Sequence, residues 1–280
     1  MTEMYRVSKI LNNNGVIAID MDENKEYVIL GKGVGFGKKV SQRFDKPEGC
    51  TTYRLEQETE RGSAKELVKG IEPEYLEIAD AILTESQKVF GDSIDRGILF
   101  PLADHISFAV ARIRRNEQIS NPLTEDIKVL FYSEFKVAET LKTILRERLQ
   151  IEIDDHEVGY VALHIHSAIG DEKVSVAMQT ARAVRECIDM IEKATGKPID
   201  VLSLSYNRLM NHMKYMVARA STGEKLNLDM NEYMLDQYPQ AYKVATDICK
   251  NLEGCIGHKL DETETGYLAM HIQRVYKDAV

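Results

Sequence analysis

The segment that decides the fold is Leu102-Ala103-Asp104-His105-Ile106-Ser107-Phe108-Ala109-Val110-Ala111-Arg112. A shift of 107 residues places it over Leu209-Met210-Asn211-His212-Met213-Lys214-Tyr215-Met216-Val217-Ala218-Arg219. At the same offset, residues 157–165 match residues 264–272, and residues 135–138 match residues 242–245. A constant offset across three separate segments indicates that one module occurs twice in the chain.

The repeated module has the periodicity of helices. Residues of one face recur at positions i, i+3, i+4 and i+7, the spacing that an α-helix places on a single side. Two such sets are Tyr75, Ile78, Ala79, Ile82 and Leu102, His105, Ile106, Ala109. We therefore expect two homologous all-α helical-bundle domains, at residues 66–170 and 172–280.

The first 57 residues have the patterns of strands instead. Short apolar stretches are separated by turn-forming residues, of which Asn12-Asn13-Asn14-Gly15 is the strongest signal. The predicted strands lie at residues 5–11, 16–19, 26–30 and 51–55. This pattern predicts a small antiparallel all-β domain at residues 1–57.

The predicted architecture is thus multidomain, with the all-β domain joined to the two helical domains by a charged and polar linker at residues 56–70. A domain of ~55 residues buries too little surface to be comfortable alone. We therefore expect it to associate, most simply as a homodimer.

Composition excludes several classes of protein. The 280 residues are 44% hydrophobic and 29% charged, which is typical of globular chains. The mean hydropathy is −0.31, and no apolar run approaches the ~20 residues of a membrane helix, so we expect no membrane insertion. Residues 1–6 carry an acid and lead into no apolar stretch, so we expect no secretory signal. Cys50, Cys187, Cys249 and Cys255 form no CxxC pair. We expect a cytoplasmic protein with reduced thiols and no structural zinc.

Charge is distributed unevenly along the chain. The net charge is −9, but residues 1–55 hold nine Lys or Arg against seven Asp or Glu and are net positive by 2. The remaining residues are net negative by 11. Any polyanion partner should therefore meet the N-terminal domain.

The glycine-spaced segment Gly31-Lys32-Gly33-Val34-Gly35-Phe36-Gly37-Lys38-Lys39 fits neither the dinucleotide nor the P-loop spacing. An aromatic ring among glycines and lysines suits an unstacked nucleobase: the ring stacks, the lysines neutralise phosphate and a nearby amide such as Asn14 contacts base edges. The alternative is a bulged loop whose Phe36 packs into the small core. Both interpretations stay open from composition alone.

Histidines give the second signal. Four of the seven, His105, His164, His212 and His271, occupy equivalent places in the two repeats. A lone histidine on an apolar face is usually a core residue, but duplicated pairs favour a chemical role. His156-Glu157 lacks the second histidine of a zinc-protease helix, and we expect no metal site, no cofactor and no catalytic residue. Imidazole can serve as base, ligand or phosphoryl acceptor.

These motifs resemble a known family. Residues 9–14 and 31–39 are similar to the co-antiterminator RNA-binding domain, and the four histidine segments resemble PTS regulation domains. In this order they resemble the BglG/SacY family of phosphotransferase-regulated transcriptional antiterminators. The sequences of the glycine loop and of residues 163–168, Leu-His-Ile-His-Ser-Ala, are most similar to the glucose-responsive branch. One departure is Lys32, where some members carry Arg, so bidentate phosphate recognition is lost at that position.

The resemblance implies a non-enzymatic regulator that binds an RNA hairpin in nascent mRNA and blocks a terminator. The implied RNA-binding residues are Lys9, Asn14, Gly31, Lys32, Phe36, Lys38 and Lys39. It implies phosphorylation of His105 and His164 by a sugar permease component, and of His212 and His271 by the carrier HPr. The rival functions are a DNA-binding activator with the same regulatory domains, and a phosphohistidine phosphotransferase enzyme.

Overall fold

A computed structural model describes residues 4–56, 58–59, 62–117, 119–170, 173–196, 198–200 and 203–278. They form two compact units. The first comprises Met1–Asn121 and Ser133–Lys173, and the second comprises Pro122–Tyr132 and Val174–Val280. Among the described residues, none of the helices combines the length and the apolar character needed to cross a membrane.

Strands occupy the N-terminal part of the first unit. They are β1 (Met4–Asn12), β2 (Gly15–Asp20), β3 (Glu26–Leu30), β4 (Arg43–Asp45), β5 (Thr51–Arg54), β6 (Glu58–Thr59) and β7 (Gly62–Ser63). The first five form one antiparallel sheet in the order β4-β1-β2-β3-β5, and β6 pairs with β7 as a separate hairpin.

Alternation along the strands determines which face of the sheet is buried. Tyr5 and Val7 of β1 lie opposite Asp20 and Ala18 of β2 in the antiparallel register. Because side chains alternate across a strand, one face collects the apolar residues. A small core results, made of Tyr5, Val16, Ala18, Ile29 and Val34.

The rest of the described chain consists of α-helices joined by loops and by two short 3-10 helices, Gly91–Ser93 and Arg96–Ile98. The α-helices are α1 (Ala64–Gly70), α2 (Pro73–Phe90), α3 (Leu99–Arg114), α4 (Thr124–Leu130), α5 (Tyr132–Ala138), α6 (Thr140–Leu149), α7 (Asp155–Gly170), α8 (Val174–Thr195), α9 (Leu204–Thr222), α10 (Asn231–Gln237), α11 (Pro239–Ile256) and α12 (Thr263–Asp278). The predicted order, an antiparallel all-β domain followed by two all-α domains, is confirmed.

The repeat is visible in the packing of helices. In the first unit, α3 packs on α2 and α7; in the second, α9 packs on α12, which also packs on α11. Leu102 of α3 and its repeat equivalent Leu209 of α9 are both fully buried. Each copy thus places the predicted apolar face of its histidine-bearing helix in a core.

The predicted linker at residues 56–70 contains more structure than its polar sequence indicates. Hairpin β6–β7 is followed directly by α1, whose Ala64 and Val68 are buried and which packs on α3. Two apolar residues four positions apart are enough to bury one face of a two-turn helix. Gln57, Glu60 and Arg61, which also belong to the predicted linker, lie outside the described residues.

Candidate functional site

The glycine-rich segment folds as a series of tight turns at the end of the sheet. Val34, Phe36 and Lys38 each donate a backbone hydrogen bond to the carbonyl three residues earlier, at 3.1 Å, 3.1 Å and 3.3 Å. Asn14 holds the segment in place, because its backbone carbonyl accepts from Gly31 N at 2.9 Å and its side-chain Oδ1 accepts from Gly33 N at 3.0 Å. The Asn12–Gly15 turn and the loop therefore form one substructure.

Two glycines of this loop are required by its geometry. A Cβ on Gly35 would lie 2.1 Å from the carbonyl oxygen of Asn12, so only glycine allows the two backbone segments to approach. Gly33 has a φ of +75°, in the left-handed region that other residues rarely adopt.

The loop presents its aromatic ring to solvent. Phe36 is 74% exposed, whereas Val34 beside it is buried in the sheet core. Exposure of this ring favours the stacking interpretation over the packing interpretation, because the core is completed by Val34 instead. Lys9, Lys32 and Lys39 are also exposed, and half-buried Lys38 places its Nζ 4.3 Å from the ring centroid of Phe44.

An acidic side chain of the neighbouring helix lies against this loop. Glu77 of α2 accepts hydrogen bonds from Asn12 Nδ2 at 2.7 Å and from Asn14 Nδ2 at 3.2 Å. One carboxylate thus binds two side-chain amides, including an amide predicted to contact RNA. Residues 65 and 63 positions apart make these contacts, so no local pattern in the sequence indicates them.

The structure brings the histidines of each repeat together. His105 on α3 and His164 on α7 have ring centroids 5.2 Å apart, and both side chains are largely buried. Glu157 on α7 places Oε2 3.6 Å from His105 Nε2 and accepts a hydrogen bond from Arg112 Nη2 on Oε1 at 2.8 Å. Tyr160 lies beside His105 at 5.8 Å between ring centroids.

The second repeat has the same arrangement. His212 on α9 stacks on His271 of α12 at 4.8 Å between ring centroids. Glu264 Oε2 lies 3.6 Å from His212 Nε2, and Glu264 accepts from Arg219 Nε at 2.6 Å and Nη2 at 3.0 Å. The ring centroids of Tyr267 and His212 are 5.9 Å apart, close to the 5.8 Å between those of Tyr160 and His105.

The two histidines of the second repeat are held neutral. Burial, with a smaller contribution from neighbouring His271 and Arg219, lowers the pKa of His212 to about 3. Burial, followed by the nearby Arg274 and Arg208, lowers the pKa of His271 to about 4. A neutral imidazole keeps a lone pair on one ring nitrogen, which is what a nucleophile for phosphoryl transfer requires.

Two further histidines contact other groups of the first unit. His166 Nδ1 lies 2.9 Å from Glu134 Oε1, and His156 Nδ1 accepts from Asn121 N at 3.3 Å. Within the described part of the chain, His, Cys, Asp and Glu residues form no group of three or more that could hold a metal ion.

The buried carboxylates Glu157 and Glu264 were not predicted as part of the histidine sites. Glu157 and Glu264, and Arg112 and Arg219, lie at the same 107-residue offset as the histidines, so the repeat contains the signal. Their polarity is easily taken for solvated helix surface, although both carboxylates are buried.

The comparisons with known proteins agree with this geometry. Residues 5–62 match the CAT RNA binding domain, and residues 80–168 and 185–275 match the PRD domain. The chain belongs to the BglG/SacY family of transcriptional antiterminators. The predicted family, its RNA-binding domain and its paired regulatory domains are thereby confirmed.

Individual members of the BglG/SacY family align over nearly the whole chain. It is 30% identical to the GlcA/glcB genes antiterminator of Staphylococcus carnosus, covering 96% of this chain and 94% of that protein. It is 27% identical to the transcription antiterminator LicT of Bacillus subtilis over 98% of this chain. The crystal structure of GlcT CAT-PRDI aligns with a TM-score of 0.52 and 28% identity, covering 60% of this chain and 99% of that chain. The resemblance to the glucose-responsive branch fits these relatives.

Proposed function

We propose that this chain is a cytoplasmic antiterminator, without enzymatic activity, that binds an RNA hairpin in nascent mRNA and prevents the competing terminator hairpin from forming. The observation that carries the proposal is the 74% exposure of Phe36 on a loop flanked by exposed lysines. Residues 1–57 bind the RNA as a homodimer, and residues 66–170 and 172–280 regulate it.

Each candidate residue has a distinct task at the RNA. Phe36 stacks on an unpaired base, a contact that tolerates any base because every base has a π-face. Lys9, Lys32, Lys38 and Lys39 neutralise phosphates, and Asn14 contacts a base edge once its amide is free of Glu77. Gly31 takes part through its backbone, because a side chain at this position would collide with Cys50.

Control comes from phosphorylation of the paired histidines. A phosphoryl group adds roughly −1.5 to −2 charge by analogy with phosphorylated hydroxyls. In the first repeat, phosphorylation of His105 and His164 by a sugar permease component inactivates the protein. In the second repeat, His212 and His271 accept phosphate from HPr, which activates it.

RNA binding is tested directly by gel shift with the full chain on an RNA hairpin and on duplex DNA of the same sequence. We expect binding to the hairpin that weakens as salt rises, because lysine–phosphate contacts release counterions. Preference for duplex DNA would support the rival activator. A described N-terminal region made of strands, without a helix-turn-helix, favours the RNA hairpin.

Regulation is tested in a reporter strain. His105→Asp and His164→Asp should lower antitermination, and the alanine variants should make it independent of the sugar. His212→Ala and His271→Ala should instead lose activation or have little effect. Identical behaviour of all four alanine variants would contradict the division of labour between the repeats.

A further inference from the structure

The same ion pair faces a candidate phosphorylation site in both repeats. Arg112 and Glu157 in the first repeat correspond to Arg219 and Glu264 in the second at the offset of 107 residues. Each carboxylate lies 3.6 Å from the Nε2 atom of the histidine on the first helix of its repeat. Because the contact occurs in both repeats, it belongs to the structure of the repeated module.

The second repeat shows what the pair does before phosphorylation. The Glu264 side chain is only 2% exposed, and a buried carboxylate is costly unless it is paired. Arg219 satisfies it with two hydrogen bonds, at 2.6 Å and 3.0 Å. His212 Nε2, fully buried against this carboxylate, makes no hydrogen bond to any described residue.

A phosphoryl group on His212 would change this balance of charges. On Nε2, the ring nitrogen 3.6 Å from Glu264, the phosphoryl oxygens would lie beside this carboxylate, and like charges at such short range repel strongly in a poorly solvated site. The Arg219 guanidinium is hydrogen-bonded to this carboxylate. A guanidinium group can form two parallel hydrogen bonds to a phosphate as well as to a carboxylate. If Arg219 moves from Glu264 to the phosphoryl group, the negative charge of the phosphate is paired, and Glu264 is free to move away from it.

The surroundings allow the displaced carboxylate to be accommodated. A cleft of about 190 Å³ is lined by both Arg219 and Glu264 and by the ammonium-bearing side chains of Lys225 and Lys259. Lys225 already pairs with Asp261 at 3.3 Å. Glu224 and Asp261 also line the cleft, so a Glu264 carboxylate that turns away from the histidine enters a solvated space with charges of both signs.

We propose that Arg219 and Arg112 are positioning residues for the phosphorylated histidine, and that Glu264 and Glu157 hold these arginines until phosphate displaces them. The inference rests on the proposed function, because it assumes that His212 and His105 accept phosphoryl groups. In that step the donor's N–P bond breaks and its electron pair returns to the donor nitrogen. The lone pair of the acceptor imidazole forms the new N–P bond, and no proton needs to move between the two proteins.

The two repeats differ in how tightly the arginine is held. Arg219 makes two hydrogen bonds to its glutamate and is 15% exposed, whereas Arg112 makes one and is 26% exposed. The second repeat must therefore break more contacts before its arginine reaches a phosphate. Removal of the carboxylate should accordingly have the larger effect at His212.

The test uses the full chain and two donors. Phosphoramidate is a chemical donor that needs no partner protein, and phosphorylated HPr is the donor of the proposed function. The phosphohistidine at position 212 is quantified by mass spectrometry at alkaline pH, together with its hydrolysis half-life. Arg182→Gln, an exposed arginine on α8, is the matched control.

If the arginine exchanges the carboxylate for phosphate, removing the carboxylate and removing the arginine should change the yield of phosphohistidine in opposite directions. With phosphoramidate, Glu264→Gln should raise the yield at His212, and Arg219→Gln should lower the yield and the half-life, each by about tenfold for charged hydrogen bonds. Arg219→Lys should restore the yield in part, and Arg182→Gln should match the wild type. A purely structural pair predicts that both substitutions lower the yield, and that result would overturn the proposal.

Two further measurements distinguish an effect on phosphorylation from an effect on folding or on the choice of donor. Arg219→Gln leaves a buried carboxylate unpaired, so the double variant Arg219→Gln/Glu264→Gln, which removes both charges, is measured as well. It should unfold near the wild-type temperature and still lose the long phosphohistidine half-life; recovery of that half-life would contradict the proposal. Suppose that the yields with phosphoramidate change as predicted but phosphorylated HPr transfers no phosphate to the chain. This result would refute the proposed donor and would support the positioning role of the arginine.

Discussion

Asn14 Nδ2 donates a hydrogen bond to Glu77 Oε2 at 3.2 Å, and this contact joins the candidate RNA-binding loop to the first long helix of the regulatory region. Asn12 Nδ2 donates to the other oxygen of the same carboxylate at 2.7 Å, and Arg148 lies 3.8 Å from it. The carboxylate occupies the amide that we propose contacts RNA, and it places a negative charge beside the loop. We therefore expect helix α2 to compete with RNA for the loop.

Glu77→Gln should therefore increase RNA affinity of the full chain. The substitution removes the charge and weakens the hold on Asn14 while keeping the size of the side chain. We expect a gain of about two- to fivefold at low salt, the range of a partly exposed charge contact. Gel shifts on the RNA hairpin at two salt concentrations measure it, since the gain should shrink as salt rises.

A matched control removes a carboxylate further along the same helix. Glu85 of α2 pairs with Lys88 at 2.6 Å and does not contact the loop. Glu85→Gln should leave RNA affinity unchanged. Equal gains from both variants would mean that net charge alone is responsible, and no gain from Glu77→Gln would exclude competition.

Phe36→Ala should weaken hairpin binding without affecting the fold. Loss of one base stack costs about 1–3 kcal/mol, or roughly five- to 150-fold in affinity. Because the ring is 74% exposed, its removal leaves no cavity, and the thermal unfolding temperature should stay within error of the wild type. Val40→Ala, an exposed apolar residue four positions away, is the control and should retain affinity. Unchanged binding by Phe36→Ala would remove the stacking role.

Local patterns predicted the sheet and the helical repeats because both depend on short-range periodicity. The short apolar stretches at residues 16–19 and 26–30 are enough to predict two strands, and their Val16 and Ile29 lie in the sheet core. The repeat offset also indicated that His105 and His164 play a shared part, although only the packing of α3 on α7 brings their rings to 5.2 Å.

Long-range contacts could not be predicted in the same way. Helix α1 has only two buried residues, Ala64 and Val68, too few to give a clear periodic signal in a charged segment. The Glu77 contact joins residues more than 60 positions apart, and nothing in the sequence near Asn14 indicates an acidic partner. Both features follow from tertiary packing, which overrides local propensity.

Gly35→Ala should damage the loop more than Gly37→Ala. A Cβ at position 35 would lie 2.1 Å from the Asn12 carbonyl oxygen, so the turn and the loop must separate. At position 37 the φ of +69° imposes strain, but no atom lies within 4 Å of the added carbon. We expect Gly37→Ala to lower the free energy of unfolding by about 1 kcal/mol, because alanine is strained in the left-handed region, and Gly35→Ala to lower it by more. Urea unfolding of the two variants checks the order, and equal losses would contradict the close approach.

The stability of the second unit should fall as the pH is lowered below about 6.5. Burial and the charges of neighbouring residues lower the pKa of His212 to about 3 and that of His271 to about 4, from an ordinary value of 6.5. Between these limits the unfolded chain binds more protons than the folded one, so protons favour unfolding. The stabilising contribution is complete above pH 6.5 and is lost as the pH falls towards the folded pKa values, at up to about 1.4 kcal/mol per pH unit for each histidine.

Histidine replacement isolates this dependence from the titration of other groups. In a His212→Asn/His271→Asn variant, the free energy of unfolding should fall less steeply between pH 6.5 and 4.5 than in the wild type. The Glu264 carboxylate 3.6 Å from His212 opposes the effect by favouring a protonated ring, whereas Arg219 reinforces it. His258→Asn, at an exposed position of the same unit, should keep the wild-type slope. Denaturant titrations at four pH values measure the slopes, and parallel curves for the wild type and the double variant would show that the two rings are not held neutral.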